Sequence, residues 1–444
     1  MEKRETLEAR ISNVAKKFLE KIKEKEVKVI SHFDTDGITS AAIMIKTLKK
    51  LDVKFSIRII KRLEEGFIYD LPRDKIILFL DLASGSLNEI KEHKLKDVFI
   101  IDHHEVIDEI PEDIEIINSE LHDKQKISSS GLTYLFSKEI IQENKELAKL
   151  AVLGMIGDNL EGEIERINHN ILNDGEVKKK RGLLIYPATR PLNRTLEFSS
   201  NPYIPGVTGN IKGVLELLRE IGLNPTSKGY PSLMELKDEE MAKLVTAIML
   251  RNPKANNKEI IGDIFLLKMF NKLEDARELS AKINACSKFG RSDIALLICL
   301  EIAEAMKTAE TIHVKYRQNI VSGLKFAAEN NVIHGNGLVI INARDEIKDT
   351  MIGTIISIIS NSLIYNDGTI LIGMAYYENK IKISARIVGK SERNLRELLN
   401  RVVETTGGEV GGHDVAAGCM INQEKEEEFI NNLKKQFEIE LVKI

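Results

Sequence analysis

Tryptophan is absent from this chain, cysteine occurs 3 times, and aromatic residues make up 5% of it. Cys286, Cys299 and Cys419 form no CxxC pair and are odd in number, so neither a disulfide framework nor a zinc knuckle is expected, and a reducing compartment fits. Long apolar runs are also missing. The longest, Met351 to Ile364, is broken by Gly, Thr, Ser and Asn and is too short to span a bilayer. The leading residues Met1-Glu2-Lys3-Arg4-Glu5-Thr6-Leu7 carry no signal-type apolar core. No membrane association and a cytoplasmic location are therefore expected. Nor does one sign of charge dominate. A net charge of -4 excludes a chain that coats nucleic acid by bulk charge, but leaves room for a local basic groove.

What is present is a globular composition, 43% apolar and 30% charged. The 444 residues exceed what one hydrophobic core accommodates, so two or three domains are expected. Residues 1–194 alternate short apolar runs (Lys28–Ser31, Lys54–Ile60, Lys75–Leu80, Asp97–Ile101, Ile114–Asn118) with helical spacing, the pattern of a parallel sheet with crossover helices. Ser128-Ser129-Ser130 reads as the N-cap cluster of a further helix. Residues 195–331 are mostly helical in pattern, a connector or insert. Residues 332–444 return to strands and helices, with Gly337–Ile341, Gly368–Met374 and Lys380–Ala385 as strands, and a charged helix with a final strand after Gln423.

The chemistry concentrates after the apolar runs. His32-Phe33-Asp34-Thr35-Asp36-Gly37 follows the first strand, Asp81 follows another, and Asp102-His103-His104 a third. Asp158 closes Gly154-Met155-Ile156-Gly157-Asp158. A side chain just past a buried parallel strand lies on the carboxyl edge of an open α/β sheet, where ligands bind. So many carboxylates and imidazoles meeting on one edge need cations, and oxygen-rich sites with imidazole suit Mn²⁺, Mg²⁺ or a mixed pair. Taken singly, Asp34 or Asp36 also reads as a helix cap, and Asp81 alone reads more readily as a turn residue. In the last block, Gly407-Gly408-Glu409-Val410-Gly411-Gly412-His413 reads either as a surface turn or as a place where backbone N–H groups approach a phosphate. Arg386 is placed to clamp a phosphate or to form a surface ion pair. Lys178-Lys179-Lys180-Arg181, Arg190 and Arg194, and also Lys288, Arg291, Lys315 and Arg317, are candidate linings of a nucleic-acid path, with Tyr186, Tyr203 and Tyr316 as stacking residues.

These motifs, in this order, resemble the four motifs of the DHH phosphoesterase superfamily. Gly411-Gly412-His413 with the trailing Ala416-Ala417-Gly418 is similar to the glycine–histidine signature of the DHH-associated C-terminal domain. The compact first motif, with Gly37 directly after Asp36, and the loop Asn201-Pro202-Tyr203-Ile204-Pro205-Gly206 look most like RecJ-type single-strand exonucleases of the archaeal kind. The resemblance implies an α/β fold with a parallel-sheet N-terminal DHH domain, a helical middle insert and a smaller α/β C-terminal DHH-associated domain. It implies a metal-dependent exonuclease that cuts single-stranded DNA or RNA to mononucleotides by two-metal in-line attack. Two divalent ions, Mn²⁺ or Mg²⁺, would be bridged by Asp81, with His32, Asp34, Asp36, His103 and Asp158 completing the shells. Asp102 would serve as a further ligand or orient the histidine pair, and His104 would contact the scissile phosphate and assist the leaving oxygen. Arg386, Gly411, Gly412 and His413 would hold a neighbouring or terminal phosphate. Two alternatives stand beside this: a phosphodiesterase for oligonucleotides or cyclic dinucleotides, and a replisome scaffold associated with the GINS complex.

Overall fold

A computed structural model describes residues 5–443 apart from positions 107, 123, 163, 200, 201, 203, 252–259, 330, 331, 336 and 363. Asn201 and Tyr203, assigned above to a family-like loop and to base stacking, lie outside the described residues. The chain divides into two compact units, Met1–His313 and Val314–Ile444.

The first unit is built on five parallel strands, β1 (Val27–His32), β2 (Phe55–Ile60), β3 (Ile76–Leu80), β4 (Val98–Ile101) and β5 (Ile114–Ile117), in the order β2-β1-β3-β4-β5. Every residue of β3 and β4 is buried, as expected when helices cover both faces of a parallel sheet. The helices α1 (Leu7–Lys21), α2 (Thr35–Lys50), α3 (Ser129–Ile140) and α4 (Ala148–Gly157) share the core of this sheet. Helix α1 enters it by a stripe of Leu7, Ile11, Val14, Ala15 and Phe18, spacing that keeps one helical face apolar. In this strand order the direction in which strands are added reverses between β1 and β3, and the crevice at such a switch point is where open α/β sheets bind ligands.

The middle of the chain is less uniform than its helical pattern suggests. Lys178–Leu183 (β6), Ile261–Met269 (β7) and Lys272–Asp275 (β8) form a three-stranded antiparallel sheet. Residues from Leu183 to Leu266 close a small core of their own. The helix α5 (Ala276–Lys288) then carries the chain back, and residues up to Ile312 pack in the same core as β1 and α2. Ala276, Leu279, Ile283 and Cys286 make the buried stripe that drives this return.

The second unit holds a six-stranded sheet of β9 (Val332–His334), β10 (Leu338–Arg344), β11 (Ile370–Tyr377), β12 (Lys380–Ile387), β13 (Glu409–His413) and β14 (Ala416–Asn422), in the order β13-β14-β12-β11-β10-β9. Helix α6 (Asp349–Ser360) lies on β11 and β12, so closely that a Cβ on Gly373 would stand 2.4 Å from Ile356 Cγ1. Helices α7 (Leu395–Thr406) and α8 (Glu426–Lys443) close the core of this unit. The stretch after Gln423 is helical, with no final strand among the described residues. No helix among the described residues is long and apolar enough to cross a membrane.

Candidate active site

The acidic motifs converge. His32 ends β1, Asp34 caps α2, Asp36 lies in the first turn of that helix, Asp81 follows β3, Asp102 to His104 follow β4, and Asp158 caps the end of α4. Asp34 caps its helix with one oxygen and turns the other toward His32. Its Oδ1 accepts the Gly37 N–H at 3.0 Å, a helix cap, while its Oδ2 lies 3.0 Å from His32 Nδ1. Asp81 is the centre of the group. Its Oδ2 is 3.3 Å from His32 Nδ1 and its Oδ1 is 3.6 Å from His103 Nε2, which in turn is 3.5 Å from Asp158 Oδ2. Three sets, His32–Asp34–Asp81, Asp36–His103–Asp158 and Asp81–His103–His104, each bring their donor atoms within 4.8 Å of one another.

Asp36 is held from behind. Its Oδ2 accepts the Ser129 N–H at 2.6 Å and its Oδ1 the Ser130 N–H at 3.0 Å, so the carboxylate docks on the N-terminal turn of α3, where free N–H groups and the helix dipole favour negative charge. Gly154 makes room for this, because a Cβ there would lie 2.3 Å from Asp36 Oδ1. The serine cluster and the Gly154/Gly157 spacing are visible in the sequence, but their contact with Asp36 is long-range and was not read from it.

Asp102 is 1% exposed, and hydrogen bonds take up its oxygens: Oδ2 accepts the Ser84 N–H at 3.0 Å, and Oδ1 accepts the His103 N–H at 2.8 Å, the His104 N–H at 3.3 Å and lies 2.7 Å from His104 Nδ1. It belongs to none of the three donor sets. Of the two roles expected for Asp102, its surroundings fit the one that orients the histidines.

The electrostatics are those of an over-charged pocket. Burial, and then the charges of Asp34 and Asp36, push Asp81 far above the usual carboxylate range. Burial followed by Asp36 and Asp81 pushes Asp158 up to about 11. Burial opposes the ionised forms of Asp34 and His32 as well, but their mutual attraction outweighs it, lowering the carboxyl and raising the imidazole. Asp81 Oδ1 and Asp158 Oδ2 are buried without a hydrogen-bond partner. Buried carboxylate oxygens without partners, facing imidazole nitrogens, fit divalent cations, whose charge would favour the ionised forms that burial and crowding oppose.

In the second unit the glycine-rich stretch is not a loose turn. It forms the hairpin β13–β14, with register Gly411↔Gly418 and His413↔Ala416. Arg386 on β12 pairs with Ala416 as well, so Arg386, Ala416 and His413 form one row across three strands. Arg386 Nε donates to Ser357 Oγ at 2.9 Å and Nη1 to Ala385 O at 2.7 Å. Gly411 is exposed with nothing within 4 Å of its missing Cβ, whereas Gly412, at φ +115°, would drive a Cβ to 2.4 Å from Ala416 O.

The basic residues proposed as a nucleic-acid path are largely engaged with the protein itself. Lys180 Nζ donates to the carbonyls of Leu233, Met234 and Leu236, and Lys179 pairs with Asp263. Arg190 pairs with Glu278, Arg194 with Glu197, and Arg291 with Asp293. Most such charge runs are solvated or paired faces, and these follow that rule.

Comparison with known proteins follows the same map. The model of the DHH family N-terminal domain matches residues 26–155, that of the DHHA1 domain residues 336–438, and that of archaeal Cdc45 residues 163–386, about half of the chain. The chain is a RecJ-like member of the DHH superfamily and belongs to the archaeal Cdc45 family. An uncharacterized protein of Methanocaldococcus jannaschii is 28% identical over 95% of this chain and 96% of its own length. The single-stranded-DNA-specific exonuclease RecJ of Bacillus subtilis is 28% identical over 30% of this chain, and the match spans only 19% of that protein. Among solved structures, RecJ of Thermus thermophilus in complex with Mn²⁺ aligns with 96% of this chain at a TM-score of 0.61 and 15% identity. This chain spans only 54% of that one. CDC45 of Entamoeba histolytica aligns over 96% of this chain and 99% of its own at a TM-score of 0.69 and 12% identity. At such identities the structural likenesses establish the fold. This DHH-superfamily fold has its donor sets at the β1/β3 switch point.

Proposed function

We propose that this chain is a Mn²⁺-dependent exonuclease that releases mononucleotides from single-stranded DNA or RNA. The observation that carries the reading is Asp81, whose two oxygens face two different donor sets, Oδ2 toward His32 and Oδ1 toward His103. His32, Asp34 and Asp81 would hold one ion, and Asp36, His103 and Asp158 the other, with Asp81 Oδ1 turned toward His103. When bound, such a pair supplies positive charge that stabilises the phosphorus-centred transition state of in-line displacement. Asp102 holds the His104 ring at Nδ1, so Nε2 is left to serve the leaving oxygen as a general acid. That hydrogen bond to Asp102 raises the His104 pKa, against the effect of burial, which favours the protonated ring this role needs. The row of Arg386, Ala416 and His413 beside the bare backbone of Gly411 is suited to a phosphate, with a cationic donor at one end and no side chain in the way.

The relatives support this reading in kind: the B. subtilis relative is a single-strand-specific exonuclease, and Thermus RecJ binds Mn²⁺ and, in a second structure, Mg²⁺. The test is digestion of single-stranded DNA and RNA, labelled at either end, with Mn²⁺. Mononucleotide release is expected, and its loss in Asp158→Ala. Release that persists in that variant, or a wild-type chain that cuts neither polymer, would reject the proposal. The likeness to CDC45 along nearly its whole length favours a second reading, attachment to a replisome through a GINS-type complex. Co-purification of GINS with a chain whose metal site binds no Mn²⁺ would move the balance to that role.

A further inference from the structure

Asn118 stands just past β5, in neither the acidic motifs nor the glycine-rich stretch, and it is 0% exposed. Its side-chain amide is fully used. Nδ2 donates to Ser84 Oγ at 3.0 Å and to the His104 carbonyl at 2.8 Å, and Oδ1 accepts the Glu120 N–H at 2.8 Å. Ser84 in turn donates its N–H to Asp102 Oδ2, and Asp102 Oδ1 meets both the N–H and the ring Nδ1 of His104. The four residues close a ring of hydrogen bonds, running Asn118 to Ser84 to Asp102 to His104 and back.

The ring joins the loop after β3 to the loop after β4. One is the turn after β3, where Asp81 at φ +60° and Ala83 at φ +88° adopt a left-handed backbone that side chains disfavour. That turn aims the Ser84 N–H at Asp102. The other is the loop after β4 that presents His103 and His104. Only a carboxamide has two N–H donors on one nitrogen and an acceptor beside it; an aspartate cannot donate, and a serine donates once.

We propose that Asn118 is a positioning residue, which sets where the His104 ring stands relative to Asp81 by locking the two loops to each other. The role rests on the phosphodiesterase reading for its consequence in turnover, but not for its geometry. It is tested in two ways on Asn118→Ala in the full chain. Long-range ¹H–¹⁵N spectra of the histidine rings, taken without metal, should show the His104 signals displaced while those of His169, on the separate helix Arg166–Asp174, stay in place. With Mn²⁺ and a thymidine dinucleotide as substrate, kcat should fall about 100-fold, the scale at which a misplacement near 1 Å is felt. KM should stay within about threefold, since no group that binds substrate is removed. Ser84→Ala, which deletes one acceptor of the ring, should give a smaller effect of the same kind, and the double variant should be no worse than Asn118→Ala alone.

A folded Asn118→Ala with His104 signals and kcat at wild-type values overturns the proposal. If that variant does not fold, the Ser84→Ala spectra decide in the same way. A wild-type chain that fails to cut the dinucleotide or either polymer defeats the exonuclease reading, and the spectra still settle Asn118.

Discussion

Two sheet regions of this molecule, both candidates for ligand binding, are built by opposite means. At the β1/β3 edge, burial and crowding push Asp81 and Asp158 above the usual carboxylate range, and one oxygen of each is buried with no partner. At the β12–β14–β13 corner the contrast is complete: Gly411 and Gly418 leave bare backbone, and the row beside them has one arginine and one histidine. The first region is frustrated and calls for a cation. The second offers exposed backbone without a side chain at Gly411. Unsatisfied charge marks the one and missing volume the other, so a search for either signal alone would have found half of the candidate machinery.

The largest test of this contrast is metal. Mn²⁺ at a thousandfold excess over its Kd should stabilise the wild-type chain against unfolding by about 4 kcal/mol, whereas Asp81→Asn should lose that gain. The pH dependence has a definite sign. A carboxyl whose folded pKa lies above its unfolded value stabilises the fold below the unfolded pKa, and that contribution is lost as pH rises through the folded one. In metal-free buffer the wild-type melting temperature should therefore fall relative to Asp81→Asn as pH rises above about 4, measured by calorimetry. A variant that tracks the wild type at every pH, with or without Mn²⁺, would remove the frustration from the comparison.

The glycine corner is probed next. Gly418→Ala places a Cβ 2.7 Å from Ile383 O, a clash with backbone that cannot yield cheaply. A loss of about 1–3 kcal/mol is expected for such overpacking, read from denaturant midpoints. Gly411→Ala meets nothing and should leave stability within about 0.5 kcal/mol, so any loss of nucleotide binding there reports on the approach itself. For His413→Ala a rise in KM of about tenfold at unchanged kcat is expected, since only one of the proposed phosphate contacts is removed. A fall in kcat with KM fixed would instead put His413 among the groups that act in the transition state.

Local signals served the first unit well. The strands β1, β3, β4 and β5 are near-continuous apolar runs, and each candidate ligand after them sits within a few residues of a strand end, so its position follows from the strand's. The middle was read less well. Ile261–Met269 pairs with Lys178–Leu183, whose charged sequence KKKRGL resembles a solvated run. The strand is stabilised by a partner some 80 positions away and by three carbonyls that receive Lys180, and neither is local information. The return of α5 into the first core is equally hidden, because an apolar helical stripe states that a face is buried but not against what.

By itself the sequence determined which residue types stand at which strand ends, the order of the motifs, and hence the family and the donor chemistry, because all of these are set within a few residues along the chain. The tertiary structure alone decided how each carboxylate is spent. Asp102 is saturated by backbone N–H groups and His104, Asp36 is docked on the turn at Ser129 and Ser130, and Asp81 is left with one oxygen toward His32 and one toward His103. Those assignments depend on hydrogen bonds between segments as many as 94 positions apart, and on loop conformations that the packed core imposes.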